Sequence, residues 1–162
     1  MDIEVRIRGL LMDPATNMPI VVLKDTGSDA VMPIWVGPFE ANAIAIELEK
    51  LTGPRPMTHD LTRNLIHHLN ARLERVVITE IREDTFFAVL WLRQGQDSVV
   101  VDSRPSDAIA LALRFDCPIY VAEQVMQLAK LTPASASESQ TGEQLRGWLE
   151  GLNDEDLGRY KM

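Results

Sequence analysis

The chain has 162 residues, enough for one domain with a real core and a small appendage. An apolar share of 46% and a charged share of 25% are those of an ordinary globular protein. No run of about 18 apolar residues is present to cross a membrane; a net charge of −8 argues against a broad basic face for nucleic acid, and the single cysteine, Cys117, excludes an internal disulfide.

The N-terminal stretch MDIEVRIRGL has no basic region followed by an apolar one, so the expectation is a cytoplasmic protein without a leader. Ile3 to Arg8 alternates strictly between apolar and polar, which predicts a strand with one wet face. A turn region with Asp13-Pro14 leads to a second strand, Ile20 to Leu23. Asp25-Thr26-Gly27-Ser28-Asp29 has the composition of a hairpin turn. Val31 to Val36 is a third strand, and Pro33 assigns it to an edge or a bulge.

Gly37-Pro38 stops that strand and starts a helix expected to run to about Leu51. Glu40, Ile44 and Leu48 share one stripe of it. Gly53-Pro54-Arg55-Pro56 breaks the chain, and a second helix is expected over about Thr58 to Leu73. Its leucines at 61, 65, 69 and 73 are expected to face the core, with Asp60, Arg63, Asn64 and His67 on the polar side. Strands follow at Arg75 to Ile81, Phe86 to Leu92 and Val99 to Val101. Asp102-Ser103-Arg104-Pro105-Ser106-Asp107 then opens a helix whose run Ala108 to Leu113 is apolar on every side, the mark of burial. Cys117 before Pro118 reads as inert filler, Pro118 to Val121 as a short strand and Glu123 to Leu131 as a short helix. The expected division is a domain over 1–131, a linker over 132–143, and a tail over 144–162. In that tail Leu145, Trp148, Leu149 and Leu152 line one side of a short helix.

A shift of 67 residues lays Pro38 on Pro105, Glu40 on Asp107, and Ala41, Ala43 and Ala45 on Ala108, Ala110 and Ala112. Strands and turns fall into step as well, which predicts a twice-used β-β-α unit. The fold class expected is α+β, a mixed sheet with packed helices.

Three helix entrances carry polar residues: Glu40 at the first; Arg55, His59 and Asp60 at the second; Arg104, Ser106 and Asp107 at the third. Taken singly, each reads as ordinary capping, because acids in a first turn suit the helix dipole. Taken together, they would offer carboxylates to a hard cation, arginines to a phosphate and one histidine for proton transfer. Residues 53–132 are nearly neutral and all but one of their basic residues are arginine, so the acidic balance is not uniform. Phosphate-loop, dinucleotide-loop and paired-cysteine motifs are absent.

Ile34-Trp35-Val36-Gly37 with Glu40-Ala41, then Arg55-Pro56-Met57-Thr58-His59-Asp60-Leu61, then Asp102 through Ala112 together resemble the bifunctional nuclease family, over roughly residues 3–131. That resemblance implies a mixed sheet with packed helices, a homodimer, and cleavage of both DNA and RNA. Glu40, Arg55, His59, Asp60, Arg104, Ser106 and Asp107 match the family pattern; on the nuclease reading the expected roles are catalysis for His59, Asp60, Arg104 and Asp107 and substrate phosphate binding for Arg55, Arg104 and Ser106. Glu40, Asp60 and Asp107 would hold Mg2+ or Mn2+. The competing expectation is a non-enzymatic module that binds an anion or a partner protein.

Overall fold

A computed structural model describes residues 1–131; the expected linker and tail lie outside the described residues. The β-branched runs of the first third form a meander of β1 (Asp2–Met12), β2 (Pro19–Asp25) and β3 (Val31–Trp35). Helix α1 (Pro38–Leu48) and helix α2 (Thr58–His68) follow. A second meander comprises β4 (Ala71–Arg82), β5 (Thr85–Gln94) and β6 (Asp97–Ser103), and it leads into α3 (Pro105–Phe115). Strand β7 (Ile119–Ala122) and helix α4 (Glu123–Leu131) end the described chain.

The seven strands make one sheet in the order β3-β2-β1-β7-β4-β5-β6. Every neighbouring pair is antiparallel except β4 with β7, so the sheet is mixed and the fold is α+β. Pro33 sits on an edge strand, where its missing N–H breaks no ladder. Glu83 and Asp84 both take positive φ in the two-residue β4–β5 connection, the geometry whose twist matches that of the flanking strands.

The sheet order is mirrored about β7. Strands β1 and β4 flank it, one antiparallel and one parallel to it, and so run in opposite directions. Helices α1 and α3 start and end 67 residues apart, in step with the sequence echo, and pack against each other. Each half is therefore a three-stranded meander followed by a helix, one strand longer than the expected β-β-α unit.

Fully buried Val21, Leu23 and Met32 of the first meander meet Val76 and Ile78 of the second, with Ile44 of α1 and Ile109 of α3 above them. Val125 and Met126 of α4 enter the same core. Helix α4 touches β7, β4 and the edge strand β3, so the sheet curls around it. Burial pushes the Cys117 thiol up to about 11, in keeping with a side chain that does no chemistry at neutral pH. No helix among the described residues is long and apolar enough to cross a membrane.

Two helix ends and one helix face differ from expectation, and β1, β4 and β6 run longer than expected. Helix α1 stops at Leu48 and Lys50 turns to positive φ; α2 stops at His68 and Asn70 does the same. Leu73 therefore belongs to β4, where it is buried. Leu61, Leu65 and Leu69 do not face the core: they are 50%, 56% and 65% exposed, and α2 buries no residue fully. The helix is rotated so that its polar side turns inward, with His59 and Asp60 meeting partners on α3.

Candidate functional site

The site forms where α1, α2 and α3 meet. Proline at the first position of α1 and of α3 pre-sets the helical φ at both entrances. An acid follows two residues later in each, Glu40 and Asp107, where the free N–H groups of a first turn favour negative charge.

Arg104, the residue before Pro105, links the two acids. Its Nε donates to Asp107 Oδ2 at 3.1 Å and its Nη1 to Glu40 Oε1 at 3.1 Å. The bond from Asp107 and its charge, then those of Glu40, hold the guanidinium pKa above its ordinary value. The side chain remains 65% exposed, so it faces solvent as well as its partners. His59 from α2 completes the chain, with Nε2 2.9 Å from Asp107 Oδ1. Its ring is largely covered while Asp107 is half-buried.

Behind this row lies a second ion pair that the sequence reading did not single out. Arg114, on the last turn of α3, is buried. Its Nε donates to Asp60 Oδ1 at 2.8 Å, Nη1 to the Ala110 carbonyl at 2.8 Å and Nη2 to the Ala43 carbonyl at 3.1 Å. One guanidinium thus ties α1, α2 and α3 together. Burial works to raise the Asp60 pKa, but the Met57 N–H, the Arg114 hydrogen bond and the charges of Arg114 and Arg63 outweigh it. The carboxyl is held below its ordinary value of 3.8. The only sequence signal for Arg114 was a charge closing an otherwise apolar helix, and that is also what a C-terminal dipole partner looks like.

The row opens onto a groove of about 620 Å³. Glu40, His59, Arg104, Asp107 and Arg114 line it, with Phe39, Ile46, Met57 and Leu111 as apolar walls. The three entrances therefore converge in part. Asp60 turns away from the groove toward Arg114; Arg55 lies exposed in the α1–α2 connection and Ser106 is buried, and neither lines the groove.

Glu40 and Asp107 turn toward a common point, but Arg104 fills it, and Asp60 is taken by Arg114 and the Met57 N–H. Among the described residues no three acidic, histidine or cysteine side chains are placed to share an ion. The donor set as arranged does not fit a resident Mg2+ or Mn2+.

Comparison with known proteins adds the context. A family model described as the bifunctional nuclease domain matches residues 21–134. An uncharacterized protein of Mycobacterium tuberculosis (strain H37Rv) is 37% identical over 162 residues, covering 95% of this chain and 97% of that protein. Bifunctional nuclease 1 of Oryza sativa subsp. indica is 28% identical over 118 residues, covering 71% of this chain and 36% of the rice protein. Bifunctional nuclease 1 of Arabidopsis thaliana is 27% identical over 142 residues, covering 80% of this chain and 44% of its own length. The chain thus spans less than half the length of these plant nucleases.

Proposed function

The chain belongs to the bifunctional nuclease domain family, and on that premise we propose that its groove cleaves phosphodiester bonds in DNA and RNA. The observation that carries the proposal is the row Glu40–Arg104–Asp107–His59 on an open groove. In this reading Arg104 exchanges carboxylate oxygens for those of a substrate phosphate and balances the charge that grows on it. Asp107 accepts from His59 Nε2 and fixes the tautomer, which leaves Nδ1 to take a proton from a water molecule as its oxygen bonds to phosphorus; the P–O bond to the leaving sugar oxygen breaks, and that oxygen takes up a proton from the imidazolium or from solvent. Glu40 holds Arg104 over the groove, and Asp60 with Arg114 fixes α2 so that His59 meets Asp107. Mg2+ or Mn2+ enters this proposal only in competition with Arg104 for Glu40 and Asp107.

The test is incubation of the full chain with single- and double-stranded DNA and RNA, with added Mg2+, with added Mn2+, and with a chelator. Cleavage is expected; His59→Ala is expected to lower it by about 10²–10⁴-fold, the usual worth of one proton-transfer group, and Arg104→Ala by about 10²–10³-fold, that of one donor stabilising transition-state charge. Cleavage that survives both changes would sink the assignment. A second reading, a non-enzymatic anion- or partner-binding module, is favoured by one observation: Arg104 is already neutralised by two carboxylates. It predicts that inorganic phosphate raises the melting temperature while no nucleic acid is turned over.

We also propose that two copies associate, because among the described residues β6 is an edge strand with no pairing partner on its outer side and Val99, Val100 and Val101 are all exposed.

A further inference from the structure

We propose that Phe39 is a stacking platform for an unpaired nucleobase, which makes single-stranded nucleic acid the substrate class of the groove. The proposal rests on the nuclease reading for the phosphate end and adds the base end. Phe39 is the second residue of α1, next to Glu40, and it lines the same groove as Arg104 and His59. Phe39 is 88% exposed and belongs to neither hydrophobic cluster of the described residues, so their packing gains almost nothing from an aromatic residue there. Met57, half exposed across the groove, continues the apolar wall.

A guanidinium and a bare ring at one groove match the two parts of an unstacked nucleotide. Single-stranded nucleic acid is held by phosphate contacts together with bases laid on aromatic rings, whereas a duplex keeps its base faces stacked on one another. The charge balance points the same way. Duplex binding draws on many phosphate contacts, which a chain of net charge −8 is poorly equipped to make, while a groove whose described lining offers one exposed guanidinium, Arg104, needs affinity from stacking.

The experiment measures fluorescence anisotropy of a labelled single-stranded oligonucleotide and of a hairpin duplex with the full chain, its Phe39→Ala and Phe39→Trp variants, and Arg104→Ala. Cleavage is followed in parallel. The wild type is expected to prefer the single strand. Phe39→Ala is expected to weaken single-strand binding roughly ten-fold or more while leaving duplex binding and the melting temperature unchanged. Phe39→Trp is expected to restore binding, and its added emission to be quenched when the single strand is present. Equal affinity of wild type and Phe39→Ala for the single strand, or an equal loss on single strand and duplex, would overturn the proposal. Binding through Phe39 without cleavage leaves stacking standing and removes the nuclease reading. Cleavage that needs Arg104 but ignores Phe39 does the reverse, and a wild type that binds no single strand overturns both.

Discussion

Arg114 illustrates what a single buried charge can organise. Three of its donors are used, on a carboxylate of α2 and on carbonyls of α1 and α3, so removing it leaves three acceptors to be resolvated or left unpaired. Arg114→Ala is expected to cost about 3–5 kcal/mol in urea unfolding, as breaking one side of a buried pair does. The double variant Arg114→Met with Asp60→Leu is expected to recover part of that loss, because no charge is then stranded. The same pair sets an acid limit. Asp60 has a depressed folded pKa, so its contribution is fully present above the ordinary value of 3.8 and is lost as pH falls below it through the folded value. Melting curves from pH 7 to pH 2 should show Asp60→Asn less stable than wild type at neutral pH and the gap closing toward pH 2. A gap that stays constant would mean that Asp60 contributes nothing through its charge. Most of this was hidden in the sequence. Glu40, His59 and Asp107 could be singled out from helix-entrance positions and a family resemblance. Which acid meets which cation depends on how three helices pack, and no spacing along the chain encodes that.

Helix α2 is the element whose pattern misled. Leucines at 61, 65 and 69 recur every four residues, which is the usual sign of a core-facing stripe. In the structure that stripe is outside, because the opposite side carries the two side chains that reach α3, His59 to Asp107 and Asp60 to Arg114. Hydrogen-bonded charges that would otherwise lie buried and unpaired impose a larger penalty than exposed leucines. The expected consequence is a contrast measurable by chemical denaturation. Leu65→Gln should change stability by no more than about 0.5 kcal/mol, whereas Ile109→Ala, in the fully buried part of α3, should cost about 2–5 kcal/mol. A loss of several kcal/mol at Leu65 would show that the stripe is covered in solution. The strands and α3 were legible for the opposite reason. Their two-residue alternation, turn residues and all-round apolarity are local signals that packing did not override.

At the scale of the molecule, the proposed association of two copies would run through strand β6. A register centred on Val100 would pair Val99 with Val101, Ser98 with Asp102 and Asp97 with Ser103 across a two-fold axis, and no like charges would face each other. Sedimentation velocity is expected to report a dimer for the wild type and a monomer for Val100→Lys, which sets two cations at the axis; a wild-type monomer would end the idea. The mirrored sheet order has a different consequence. Position 37 in the first half corresponds to position 104 in the second, and these two places hold glycine and arginine. A Cβ at Gly37 would run into the Glu40 carboxylate, so the bare backbone there is what lets Glu40 curl toward its own helix start while Arg104 reaches across from the other. At this pair of positions the two halves are non-equivalent, one half supplying the arm and the other the room for it. A strictly repeated unit would carry two such arms or none, and this chain has one, at position 104.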